Sequence, residues 1–157
     1  MSIMSKRGRG TDKHGRSIRP GRYVALHHWL MKTEAWRDLD CVARSAYVEL
    51  SSRYGGPGSN NGRIPFSLRE MAQALNCSKA TAMRALERLR DHGFVVMTKK
   101  GAFRALLRIA TEWRLTEFPD DLTGQMATKD FSRWTTKNKT PFRAETHVGG
   151  DMEPAGF

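Results

Sequence analysis

Cysteine is nearly missing from this chain: 157 residues contain two, Cys41 and Cys77, with neither a CxxC relation nor zinc-finger spacing. A disulfide-stapled scaffold and a cysteine zinc site are thereby excluded. Histidine is scarce too, with five residues. The adjacent pair His27 and His28 would point about 100° apart on a helix and share no face for an ion. No metal and no cofactor are expected. No apolar run is long enough to span a bilayer, and the opening residues are basic and glycine-rich, unlike a signal peptide. The expectation is therefore a soluble, cytoplasmic protein with no membrane partner. A nucleophile–base pattern and a phosphate-binding loop are also missing, so no enzymatic activity is expected. Asp120 and Asp121 adjoin, but two acids directly after Pro119 read as a solvated turn.

Negative charge is the remaining scarcity. Sixteen Asp and Glu face 27 Lys and Arg, giving a net charge of +11 and a pI near 10.3. Such an excess favours a polyanion, through phosphate contacts and release of condensed counterions. The charge is unevenly spread. Residues 1–22 carry seven basic residues, Lys6, Arg7, Arg9, Lys13, Arg16, Arg19 and Arg22, against Asp12 alone. With few large apolar residues, this segment is expected to be a disordered basic arm that either follows phosphates or is merely solvated. Residues 135–157, a mixture of Thr, Lys, Gly, Glu and Pro, are expected to be a disordered tail.

The richest stretch is residues 67–93, SLREMAQALNCSKATAMRALERLRDHG. Ser67 followed by Glu70 is a capping box, so a helix is expected to begin at Leu68. Its apolar positions Leu68, Met71, Ala72 and Leu75 lie on one stripe, and Arg69, Glu70 and Gln73 stay wet. Asn76, Cys77 and Ser78 interrupt the pattern, and Ser78 is placed to cap a second helix that runs to about His92. Ala82, Ala85, Leu86 and Leu89 then form a buried stripe, which leaves Lys79, Ala80, Thr81, Met83, Arg84 and Arg88 on the other faces. Gly93 supplies the left-handed end, and the residues after it are strand-like. Helix, short turn, helix, glycine, strand is the order of a winged helix-turn-helix. The expected fold class is α+β and mostly helical, with a short β-hairpin wing and flexible termini.

The flanks fit around this unit. Residues 23–39 hold Val24, Leu26, Trp29, Leu30, Met31, Ala35, Trp36 and Leu39, and are expected to form an aromatic collar packed on the core. The domain proper is placed at residues 40–118. Asp40 caps its first helix, whose stripe is Ala43, Ala46, Tyr47, Leu50 and Tyr54. Residues 55–62, GGPGSNNG, must break that helix. Arg63 and the two asparagines of the loop either touch phosphate or are solvated. Residues 63–66 read as an extended edge segment because of Pro65. Residues 94–98 and 111–118 are expected to pair, with Trp113 and Leu115 facing inward and Glu112, Arg114 and Thr116 outward. Lys99, Lys100, Arg104 and Arg108 lie between them in a basic loop. In residues 119–134, an expected packed appendage, Leu122, Met126, Phe131 and Trp134 fold back on the core.

Residues 78–95, SKATAMRALERLRDHGFV, resemble the recognition helix and first wing strand of bacterial winged-helix regulators. GRYVALHHWL, AWRDLD, NNGRIPFS and ATEWRLTEF resemble small helix-turn-helix proteins of proteobacterial chromosomes, plasmids and prophages, and the resemblance covers roughly residues 23–134. It implies a nucleoid-associated protein whose partner is double-stranded DNA. The second helix of the pair would then enter the major groove. Arg84 would read a base edge, Lys79 and Thr81 would hold phosphate or an adjacent base, and Lys99, Lys100 and Arg104 would bind backbone. Ala80, Met83, Arg88, Arg108, Arg63 and Ser67 complete the candidate surface. Transcriptional regulation is the first expected role. The alternatives are a replication-initiation or recombination accessory protein of a mobile element, and a winged-helix protein-interaction module. A homodimer stays open, because winged-helix regulators often dimerise; the collar and residues 120–134 would be its surfaces.

Overall fold

The computed structural model describes residues 22–104 and 107–137, the side chains of 103, 104, 107 and 108 excepted. Of the expected disordered arm (1–22) and tail (135–157), residues 1–21 and 138–157 lie outside the described ones; Arg22 donates to the Ser52 carbonyl at 3.4 Å, and the Thr136 amide donates to Glu34 Oε2 at 3.2 Å. Among the described residues the chain is α+β and mostly helical. It has five α-helices, a three-stranded antiparallel sheet and a separate two-stranded hairpin. No described helix is long and apolar enough to cross a membrane.

Three helices make the centre: α3 (Cys41–Ser52), α4 (Leu68–Ala74) and α5 (Lys79–Asp91). Each starts where a side chain satisfies an orphan amide. Asp40 Oδ1 accepts the Ala43 amide at 2.7 Å, and Ser78 Oγ accepts the Thr81 amide at 3.1 Å. At α4 the box is reciprocal: Ser67 Oγ accepts from the Glu70 amide and Glu70 Oε2 from the Ser67 amide. Both α4 and α5 end in the same motif. The Cys77 amide reaches back to the Ala72 carbonyl, and the Phe94 amide to that of Leu89. The left-handed residue between is Asn76 (φ +49°) in the first case and Gly93 (φ +77°) in the second. Ala82, Ala85, Leu86 and Leu89 of α5 are buried against Ala43, Ala46, Tyr47 and Leu50 of α3 and Met71 and Ala72 of α4.

The capping box carries a pH signature. The Ser67 hydroxyl and amide, with Arg53 beside them, hold the Glu70 carboxyl below its ordinary value of 4.5. Its contribution is present above that ordinary value and is lost as pH falls through the lower folded one. Ser67→Ala is expected to cost about 1 kcal/mol in urea unfolding at pH 7. The cost should shrink at pH 3; an equal cost at both pH values would remove the carboxylate from the account.

The sheet has the order β1–β5–β2, with β1 (Ile64–Pro65), β2 (Val95–Lys99) and β5 (Glu112–Leu115). Pro65 sits in an edge strand, where its missing amide costs no ladder bond. Trp113 and Leu115 face inward, and the Trp113 indole donates to the Phe66 carbonyl at 2.9 Å. The expected basic loop is instead partly a hairpin. β3 (Ala102–Arg104) pairs antiparallel with β4 (Leu107–Ile109). The returning strand is also shorter than expected. It ends at Leu115, and Thr116, read as outward-facing, is buried with its hydroxyl donating to the Gly93 carbonyl at 2.6 Å.

The collar comprises α1 (His28–Met31) and α2 (Glu34–Asp38), the latter capped by Thr33. Trp36 meets the ring edges of Tyr47 and Phe94, and Phe94 stacks on Phe131 at 4.8 Å. Phe131 belongs to a 3-10 turn, Asp130–Ser132. Trp29 stacks between His27 and Phe131, with the Lys129 ammonium 4.8 Å from its ring. Beneath it, Glu117 accepts from the Tyr47 hydroxyl at 2.5 Å and bonds His27 Nδ1 at 2.6 Å. Burial, reinforced by Glu117, pushes the Tyr47 hydroxyl well above its usual pKa. In the appendage Phe131 and Trp134 fold back as expected, but Leu122 and Met126 do not; they are 52% and 78% exposed.

Asp120 and Asp121 are not a solvated turn. Asp120 is buried, accepts the Leu122 and Thr123 amides and faces Arg114 at 3.6 Å. Asp121 accepts the amides of Gly58 and Asn61, each at 2.8 Å. Desolvation raises its carboxyl, and the amides of Asn61, Gly58, Ser59 and Asn60 outweigh it to leave the pKa lowered. The loop asparagines also turn inward. Asn61 is 0% exposed and its side chain bonds three carbonyls and one amide of residues 115–119.

Candidate nucleic-acid interface

The solvent side of α5 divides in two along its length. In the first half Lys79, Ala80, Met83 and Arg84 are exposed, and neither Lys79 nor Arg84 has an ion-pair partner among the described residues. Arg84 lies about 150° from the centre of the buried stripe, well onto the solvent side of the helix. In the second half the same outward line carries Glu87 and Asp91. An anion approaching along the helix therefore meets its strongest attraction at the N-terminal end, where the helix dipole adds to it, while further on Glu87 opposes it and Asp91 faces Arg90 at 3.8 Å.

Arg88 belongs to neither half. Its guanidinium donates to Asp40 Oδ2 at 2.9 Å and to the Asp38 carbonyl at 3.1 Å, joining α5 to the collar. His92 completes the tie, with Nε2 at 2.8 Å from Asp38 Oδ2 and its ring stacked on Trp134. Arg88 thus leaves the candidate surface, because its charge is already compensated within the chain. Ser67 leaves it too: its hydroxyl donates to Glu70 Oε2 at 2.7 Å while accepting in the cap. Thr81 is half-buried, its hydroxyl 2.9 Å from Ser78 Oγ.

Cations border the first half of α5 on two sides. On one, Arg69 and Lys79 line a groove of about 650 Å³ that also takes in Gln73 and Asn76. Arg69 was not among the expected contacts, although its place opposite the apolar stripe of α4 is a legible signal. On the other side, Lys100 rims a smaller groove of about 300 Å³ between α5 and the sheet, joined there by Arg90 from the second half of α5, which lies 3.8 Å from Asp91. Lys99 is exposed and 3.8 Å from Glu112, whereas Lys100 has no ion-pair partner among the described residues. Arg63 is exposed beside β1 and likewise unpaired among them. The side chains of Arg104 and Arg108 lie outside the described residues.

The other polar clusters make no competing site. Cys41 and Cys77 are free, and among the described residues no three His, Cys, Asp or Glu side chains are grouped to hold a metal ion. The acids that do gather, Asp120 and Asp121, spend their lone pairs on backbone amides. Compared with family models, curated proteins and solved structures, the chain matches none.

Proposed function

We propose that the chain is a winged helix-turn-helix protein that binds double-stranded DNA in a sequence-specific manner, and that it acts as a transcriptional regulator. In this reading α5 enters the major groove by its N-terminal half, and the β2–β3 turn lies on the backbone. The observation that carries the reading is the distribution of uncompensated charge. Lys79 and Arg84 on α5 and Arg69 on α4 gather at one helix end, with Lys100 on the turn across a groove from the middle of α5, while acids occupy or neutralise the other end. The major groove, about 12 Å wide, admits a helix and presents a distinct donor and acceptor pattern for each base pair. Arg84 reads a base edge; Lys79, Arg69 and Lys100 position the protein through phosphates.

The test is selection from a random duplex pool, followed by titration of the winner and a scrambled control at two salt concentrations. An enriched motif preferred by at least about a thousandfold supports the reading, and a palindromic one indicates a bound dimer. Salt-sensitive binding without a motif, or no binding, overturns it. Arg84→Ala is expected to cost about 1–3 kcal/mol at the selected site and to relax preference at one base pair. Lys100→Ala should instead weaken all duplexes alike and lower the salt slope by about one. An Arg84 variant that discriminates like the parent would remove that side chain from base reading. Recovery of repeated motifs typical of an origin, and not of promoters, would shift the role from transcription to replication with the same surface in use.

A further inference from the structure

The smaller groove beside α5 has an apolar lining in the middle of a cationic surface. Leu86 and Trp113, both buried, form its floor. Its walls are two methionines, Met83 from α5 and Met97 from β2, 49% and 37% exposed. Single exposed apolar side chains are ordinary on any protein. Two that face each other across a groove, one turn of helix from Lys79 and beside Lys100, are placed where DNA would be held. Glu87 stands on the same rim, one turn beyond Met83. Lys100 and Arg90 share that rim, so the charges offset in part, and it is the apolar lining between them that suits an uncharged edge. In the major groove thymine alone among the four bases carries an apolar group, the C5-methyl. Methionine, unbranched and polarisable, adapts its shape to such a group.

We infer that this groove seats the C5-methyl of a thymine, so that Met83 selects an A·T pair adjacent to the pair read by Arg84. The inference rests on the DNA-binding reading and gives its target a chemical identity. Met83 takes the thymine methyl against its thioether while Met97 closes the far side and water is excluded from the floor.

The experiment uses the full chain and the selected duplex. Each thymine is replaced in turn by deoxyuridine, which removes one methyl group and leaves every hydrogen-bonding group in place. One replacement is expected to weaken binding about fourfold, the transfer value of a single methyl group. The same replacement should have no effect on Met83→Ala, whose fold is checked by circular dichroism and which loses little packing because Met83 is half exposed. Two results overturn the inference: no thymine responds, or the response persists unchanged in Met83→Ala. Either leaves the DNA reading intact, since an enriched duplex was bound. Failure to enrich any duplex removes both.

Discussion

Asn61→Ala is expected to lower the unfolding free energy by about 3–4 kcal/mol, enough to bring the melting temperature down by roughly 15 °C. The cause is the loss of a four-way clasp. Asn61 Nδ2 donates to the carbonyls of Leu115, Phe118 and Pro119 at 3.0, 3.1 and 2.8 Å, and Oδ1 accepts the Leu115 amide at 2.7 Å. All four partners belong to the end of β5 and the chain just after it, where the sheet can no longer supply bonds. Truncation to alanine leaves buried backbone groups without partners, each costing about 1–3 kcal/mol before relaxation. Asn61→Asp should be at least as harmful, because it points a carboxylate at three carbonyl oxygens in a buried site. Thermal and urea unfolding of the three proteins decide the matter. A change below about 0.5 kcal/mol, as for a solvated loop residue, would show that the clasp contributes nothing.

Gly93→Ala is expected to cost about 3 kcal/mol, through two separable effects. Gly93 has φ +77°, a conformation that disfavours any side chain. A Cβ there would also stand 2.8 Å from the Asp130 carbonyl carbon and the Phe131 nitrogen, backbone atoms that cannot swing aside. The 3-10 turn would have to lift away from the end of α5, taking Phe131 off Phe94 and Trp29. Gly58→Ala is the matched control. Its φ is +72° but nothing lies within 4 Å of its Cβ, so it should show the backbone effect alone, about 1 kcal/mol. Equal costs for the two variants would mean that the turn yields freely. Tryptophan fluorescence adds a local readout, since Trp29 stacks on Phe131 and Trp134 on His92.

The contrast between these positions explains what the sequence disclosed. Helix starts at Leu68 and Lys79, the Gly93 stop and the buried stripe of α5 depend on residues within four places of each other, so their spacing announces them. Asn61 and Asp121 are read as loop residues because their partners lie 54 to 63 places away and are backbone groups, which carry no residue identity. The ties of Arg88 are illegible for the same reason: helical phase leaves it off the buried stripe, but Asp38 and Asp40 arrive from 48 to 50 residues upstream. The hairpin of β3 and β4 escapes a reading based on alternation because Leu106 and Leu107 adjoin and blur the period of two. Within the candidate site, the exposure of Lys79, Met83 and Arg84 follows from the phase of α5. The groove that Met83 shares with Met97 does not, since only strand pairing brings the two together.

The collar ties have a consequence for how the chain is made. His27 meets Glu117, Trp29 stacks on Phe131, and Glu34 accepts from the Thr136 amide. Vectorial synthesis delivers α3 to α5 complete once Gly93 has left the ribosome, yet these three collar residues then have nothing to meet. Roughly forty more residues must follow, a few seconds of elongation at ordinary speeds. Throughout that interval the nascent domain carries an uncovered tryptophan and two unpaired polar hooks.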